Sequence, residues 1–252
     1  MRPVPPLLAR NPIFAHAPAA ALTRLEQAST IRTCKPRERI IVEGQPARHI
    51  YALLDGAVRM FHQSEKGDAA AVMLLRAPAV FGEAEALAGV PYQEHAAAIV
   101  DSEVLEMPVG EVVRLLQSEP SCAVDMLVDV ASRLAIAAYG GRSLAFNPLT
   151  VRLANYLLDY AGWTTPPGSS DLRVDLTQEE MAAAIGGTRR SVAKDMVAWQ
   201  REGVIERRGR CYVIRDVEAL RRYSDAGRLE LAYTPRASAV VGPASQAAER
   251  LA

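Results

Sequence analysis

Leu176-Thr177-Gln178-Glu179-Glu180-Met181-Ala182, then Ile185-Gly186-Gly187, then Thr188-Arg189-Arg190-Ser191-Val192-Ala193-Lys194, decides how the C-terminal half of this chain folds. Thr177 with Glu180 three positions later has the form of a capping box, in which hydroxyl and carboxylate satisfy two otherwise orphaned backbone N–H groups. Met181, Ala182 and Ile185 fall on one helical face and are expected to point inward. The paired glycines give the backbone freedom that a tight interhelical turn requires. A second helix is expected from Thr188 as N-cap, with Val192, Met196 and Trp199 as its buried stripe and Arg189, Arg190, Ala193, Lys194 and Val197 facing outward. Two helices across such a turn form a helix-turn-helix, whose second helix fits the DNA major groove.

Arg189 and Arg190 sit in the first turn of that helix and oppose its macrodipole, at about 0.3–1 kcal/mol each for exposed charges, so stability does not favour them there. A polyanionic partner does. Arg189, Arg190 and Lys194 are assigned to base and phosphate contact, because Arg and Lys reach the guanine acceptors of the major groove. Thr188, Ser191 and the helix N-terminus can take phosphate, and Thr177 and Gln178 at the front of the first helix join the same surface. The alternative is a solvated basic face on an αα-hairpin. Residues 204–207 and 211–214 are short β-branched runs around Gly209, expected to form a hairpin wing. From Gly186 to Tyr223 there are ten basic residues against five acidic ones, although the whole chain carries 29 of each sign. Backbone binding is local at salt-screened range, so the neutral total does not argue against DNA.

At 252 residues the chain can hold two ordinary domains, and half of its composition is apolar. No run approaches the roughly 20 apolar residues of a membrane span, and residues 1–6 do not introduce a signal-peptide core, so a cytoplasmic, membrane-free protein is expected. Cys34, Cys122 and Cys211 are isolated and odd in number, which fits neither zinc, an iron-sulfur cluster nor a disulfide framework. All three read as small buried apolar residues. No phosphate loop, helical metal-ligand pair or nucleophile elbow is present in the sequence, so an enzyme is not expected.

Residues 36–108 alternate short apolar runs with turn signals, at 40–42, 50–54, 58–61, 72–75, 96–100 and 104–107, the rhythm of a β-sandwich or roll whose pocket can hold one small molecule. In residues 121–139 the pattern becomes helical. Val124, Leu127, Ala131, Leu134 and Ala138 are spaced three and four apart, widened by Val128 and Ala135, and read as a dimer seam. The alternative is a helix packed on its own roll. Gly140-Gly141 is expected to interrupt this helix, and Asn147-Pro148 to restart it as N-cap and N1, with a hinge between and a further helix over 149–160. Residues 164–170 read as a surface loop. The expected fold is α+β: a jelly-roll-like β-roll sensor domain at 14–119, a dimerisation helix and hinge at 120–146, a winged helix-turn-helix at 147–223 and a mostly disordered tail at 224–252.

Over residues 14–223 this order resembles the CRP/FNR superfamily of bacterial transcription factors, on Phe81-Gly82-Glu83, Ala88-Gly89-Val90-Pro91, Leu144-Ala145-Phe146 and residues 176–205. In cyclic-nucleotide-binding relatives the Phe-Gly-Glu segment places Glu on the ribose hydroxyl, and an Arg shortly after it holds the cyclic phosphate. The resemblance therefore implies an effector pocket at Gly82 and Glu83, where Tyr92 stands in the place of that Arg. Two adjacent hydroxyl residues that hold the adenine in the cAMP receptor correspond to Ala137 and Ala138. A buried phosphate without a countercharge is penalised by several kcal/mol, so cAMP is not expected as cofactor. The iron-sulfur branch needs a cysteine cluster near the N-terminus, and only Cys34 is there. His16, His49, His62 and His95 leave haem open, and Cys34 and Cys122 leave a redox thiol open. Relatives of the cAMP receptor follow the first Arg of the recognition helix with Glu. Here Arg190 takes that place and Lys194 replaces a second Arg, which implies a different half-site. The implied function is a homodimeric DNA-binding regulator of a two-fold symmetric operator, with RNA polymerase as a further partner. A small-molecule sensor whose helix-turn-helix serves protein contacts is the alternative.

Overall fold

A computed structural model of the chain describes residues 6–63, 69–165, 171–224 and 232–233. The N-terminal unit opens with a 3-10 turn (Leu7–Arg10) and helix α1 (Ala19–Gln27). Eight strands follow: β1 (Thr30–Cys34), β2 (Arg39–Ile41), β3 (His49–Asp55), β4 (Ala57–Gln63), β5 (Ala69–Arg76), β6 (Ala79–Phe81), β7 (His95–Ala98) and β8 (Ser102–Pro108), with helix α2 (Glu83–Ala88) between β6 and β7. Helices α3 (Val109–Ser118), α4 (Pro120–Phe146) and α5 (Leu149–Thr164) lead into β9 (Leu172–Val174), α6 (Gln178–Ala184), α7 (Arg189–Arg201), β10 (Ile205–Arg208), β11 (Cys211–Ile214) and α8 (Val217–Arg222), and β12 (Ala232–Tyr233) follows. The α+β architecture expected of the sequence is present.

The roll consists of two sheets, β1-β8-β3-β6 and β12-β5-β4-β7-β2. Antiparallel pairing runs throughout except that β12 lies parallel to β5, with Ala232 opposite Leu74 and Tyr233 opposite Leu75. These two residues fall within 224–252, the stretch read as a mostly disordered tail. The rest of that expectation lies outside the described residues, as does most of the loop expected at 164–170. Strands β1 and β6 were not signalled by the apolar rhythm, since β1 carries Thr30, Arg32 and Thr33 and β6 has only three residues.

Strand residues alternate between faces with period two. Met73 and Leu75 of β5 accordingly join the roll interior with Val58, Leu53 and Phe81. Leu74 points the other way, and with Ala57 it enters the core formed by Leu157, Met181, Val192, Met196 and Trp199 of the C-terminal unit. Helix α6 lies against β5, so one hydrophobic core crosses the boundary between the two halves.

Helix α4 runs unbroken for 27 residues through Gly140-Gly141, which corrects the expected interruption. Two glycines weaken a helix by about 1 kcal/mol each, too little to break one that continues on both sides. The stop comes at Asn147, held extended at φ −86°, ψ 137° by the following proline. The N-cap of α5 is Pro148 rather than Asn147, and α5 reaches Thr164 instead of ending at 160.

Leu74 is 1 % exposed only because the helix-turn-helix covers the outer face of β5. Leu74→Ala is expected to lower the unfolding free energy by about 2–5 kcal/mol in urea titration, the usual cost of truncating a buried leucine. A loss below about 0.5 kcal/mol, as for a surface substitution, would mean that this face is bare in solution.

Candidate nucleic-acid interface

The cap at Thr177 closes in both directions: its hydroxyl accepts the Glu180 N–H at 3.1 Å, and the Glu180 carboxylate accepts the Thr177 N–H at 2.8 Å. The chain turns through Gly186 at φ 61°, a left-handed conformation open to glycine at little cost. Thr188 then caps α7 by accepting the Ser191 N–H at 3.2 Å, and the two hydroxyls lie 2.9 Å apart. Val192, Met196 and Trp199 are buried, and Thr150 of α5 donates to Asp195 at 2.7 Å, so the orientation of α7 is held from behind.

Its other face carries Arg189, Arg190 and Lys194, all exposed, with Ser191 half-buried at the N-terminus. Arg189 meets Glu179 at 2.9 Å. Both are well exposed, and such a pair contributes roughly 0–1 kcal/mol, too little to keep the guanidinium from a polyanion. Thr177 is exposed at the front of α6, while Gln178 donates to the Tyr212 hydroxyl at 3.2 Å and so ties α6 to the wing.

The wing is a three-stranded sheet, β10-β11-β9, with β9 a strand that the sequence reading did not include. Its arginines divide into two sets. Arg208 and Arg215 pair with Asp171 and Glu206 at 2.5 to 3.2 Å. Arg207 lies 6.0 Å from the Tyr212 ring and donates to the Gly209 carbonyl at 3.3 Å. Cys211 is half-buried rather than buried, with its thiol on the Arg208 carbonyl at 3.2 Å, which corrects the uniform reading of the three cysteines. Cys34 and Cys122 are buried, and burial pushes both thiols up.

In the roll, Gly82 at φ 74° precedes α2, and a Cβ there would stand 3.2 Å from the Tyr92 ring and 3.3 Å from that of Tyr51. Tyr92 turns inward and is 4 % exposed, and its hydroxyl donates to the His49 carbonyl at 2.6 Å. Tyr51 stacks on Phe81 with ring centroids 5.2 Å apart, so aromatic packing closes over the glycine. Glu83 is 2 % exposed, and burial raises its pKa against the opposing charge of Arg133. Arg133 reaches it from α4 at 2.5 Å and also meets Asp129 at 2.6 Å. The expectation that no countercharge stands near this pocket is therefore corrected: a cation is present, supplied by the helix and not by the segment after Pro91, and two carboxylates already hold it. Asp129 before Arg133 at i, i+4 was a readable signal for it. Ala137 and Ala138 are exposed in the single chain. Of the histidines, His95 accepts the Glu43 N–H through Nδ1 at 3.1 Å, and burial lowers its pKa.

Helix α4 has two different faces. Cys122, Asp125, Met126 and Asp129 are buried, while Leu127 and Leu134 are 67 % and 70 % exposed. Val124, Ala131 and Ala138 complete this bare apolar stripe. Packing on the roll and a free seam, weighed as alternatives in the sequence, occupy opposite sides of the same helix. Among the described residues no helix is long and apolar enough to cross a membrane.

Residues 31–119 match the cyclic nucleotide-binding domain family, and residues 151–223 the Crp-like helix-turn-helix domain family. The chain is 30% identical over 168 residues to the global nitrogen regulator of Synechocystis sp., covering 65% of this chain and 75% of that one. It is 25% identical over 218 residues to a CRP-like cAMP-activated global transcriptional regulator of Mycobacterium tuberculosis, covering 86% and 97%. A crystal structure of a CRP-family transcriptional regulator from Thermus thermophilus superposes with TM-score 0.61 at 25% identity, covering 82% of this chain and 100% of that one. With a roll carrying Phe81-Gly82-Glu83, a long connecting helix and a capped helix-turn-helix beside a wing, the chain belongs to the CRP/FNR superfamily of transcription regulators.

Proposed function

We propose that this regulator acts in the cytoplasm as a homodimer that reads a two-fold symmetric operator in double-stranded DNA, with RNA polymerase as its further partner. The division of labour follows the chain: effector-type roll at 14–119, dimer helix at 120–146, DNA-binding unit at 147–223. The observation that carries the reading is the exposed cationic front of α7, where Arg189, Arg190 and Lys194 stand on a helix whose opposite face is anchored by Trp199. Guanidinium groups accept nothing from cytosine, so Arg190 favours guanine or phosphate and sets a half-site unlike that of relatives with Glu there. Replacing Arg189, Arg190 and Lys194 together by Ala is expected to abolish specific binding and to flatten the salt dependence by about 0.9 in log–log slope for each phosphate no longer neutralised. Retained operator affinity in gel-shift titration at several salt concentrations would favour a helix-turn-helix that serves protein contacts.

The bare stripe on α4 supports pairing of two chains, because leucines exposed by two thirds at a heptad seam leave apolar surface in water. Leu127→Asp with Leu134→Asp should give a folded monomer in sedimentation velocity and weaken operator binding at least ~100-fold, since a monomer engages one half-site at a time. A dimer that persists would place the interface elsewhere.

Tyr92 fills the place of the phosphate-holding Arg, and Arg133 is neutralised by Glu83 and Asp129, so the pocket is not suited to a cyclic phosphate. The regulator is then either constitutive or responsive to another ligand. Calorimetry of the full chain with cAMP should give no binding tighter than ~1 mM, and an affinity of about 1 μM would overturn this reading of the pocket.

A further inference from the structure

A cleft of about 430 Å³ opens where the roll meets the helix-turn-helix. Its walls come from both units: Arg37 from the turn between β1 and β2, Thr177 and Gln178 from the start of α6, Arg189 from α7, and Arg207 and Arg210 from the wing. Four arginines and two carboxylates, Asp175 and Glu179, line it, and Glu179 is already paired with Arg189. Among the described residues no carboxylate pairs with Arg37 or Arg210. The Arg37 turn is built in place: its N–H donates to the Ala98 carbonyl at 2.8 Å, and Glu38 accepts the Lys35 N–H at 3.0 Å. Arg37 also holds φ at 72°, the only positive value outside glycine among the described residues. Side chains rarely adopt that conformation, and glycine would be the relaxed choice, so arginine there calls for a reason in its charge.

We propose that this cleft is a second, interdomain site for a small anion with two or more adjacent phosphoryl groups, such as a nucleoside polyphosphate. Its volume falls in the range of about 300–1,000 Å³ typical of small-molecule sites. Guanidinium groups offer paired donors to phosphoryl oxygens, and adjacent phosphates supply the charge that relieves their mutual repulsion. The ligand engages Arg37 of the roll together with Arg189 of the recognition helix. It therefore holds the two units together and competes with DNA. The competition depends on the DNA-binding reading above; the site itself does not.

The test uses the full chain and inorganic tripolyphosphate. Calorimetry without DNA should show one saturable site per chain with roughly micromolar affinity, and Arg37→Gly, which keeps the left-handed turn relaxed, should weaken it at least ~10-fold while Arg37→Lys restores most of it. In gel shifts, tripolyphosphate should lower the operator affinity of the natural chain, and Arg37→Gly without polyphosphate should bind operator within about twofold of it. Absence of saturable binding, equal binding of sulfate, or an unchanged affinity in Arg37→Gly would each overturn the proposal. Parallel loss of operator affinity in Arg37→Gly would overturn it too, by making Arg37 a contact to the DNA backbone. A natural chain that binds tripolyphosphate but no DNA would sink the DNA-binding reading and leave this site standing.

Discussion

Burial of β5 on both of its faces is the constraint on which the arrangement of this molecule depends. Met73 and Leu75 close the roll, and Leu74 between them closes the C-terminal core. A strand committed to two cores cannot slip by one residue without exposing both sets, because every side chain would change sides. Helix α7 is thereby referenced to the roll through α6. Interdomain contacts inside a chain are often polar and mobile, but one continuous with a hydrophobic core is not of that kind. The same docking brings the β1–β2 turn beside the front of α7.

Charge is arranged to complement this packing. Several acidic residues of the C-terminal unit are engaged with basic ones: Asp171 and Glu206 with Arg208 and Arg215, Glu218 with Arg221, and Glu179 with Arg189. Surface pairs of this kind add little stability, but each removes one cation from the pool available to an anion. Between Gly186 and Tyr223 the cations outside these pairs are Arg190 and Lys194 on α7, Arg207 and Arg210 on the wing, and Arg201 and Arg222 at helix ends. Sequence counting locates the excess without locating its free members.

Local chemistry was the legible part of the chain. The capping box at Thr177, the glycine turn and the Val192-Met196-Trp199 stripe involve residues at most a few turns apart, and the three-dimensional arrangement follows the spacing. The apolar run at 72–75 also held a readable sign of two-sided burial, since strands buried on both faces lose their alternation. What escaped was set by contacts distant in sequence. Arg133 meets Glu83 across fifty positions, Tyr92 turns inward because Gly82 admits its ring, and α4 passes through two glycines that a local propensity rule would take as a break. The wing's third strand exists only because Leu172–Val174 finds an open edge on β11.

Helix α4 joins these long-range terms. A straight helix of 27 residues spans about 40 Å, and this one carries the buried Asp129–Arg133 pair on one side and the bare Leu127–Leu134 stripe on the other. Loss of the Glu83 carboxylate would leave Asp129 on Arg133 and remove the tie between α4 and the start of α2. The helix continues without a break from that tie past the stripe to Leu144, which lies beside Gly186 of the helix-turn-helix. Arg133 is therefore where the buried Glu83 of the roll is tied to the helix that carries the stripe.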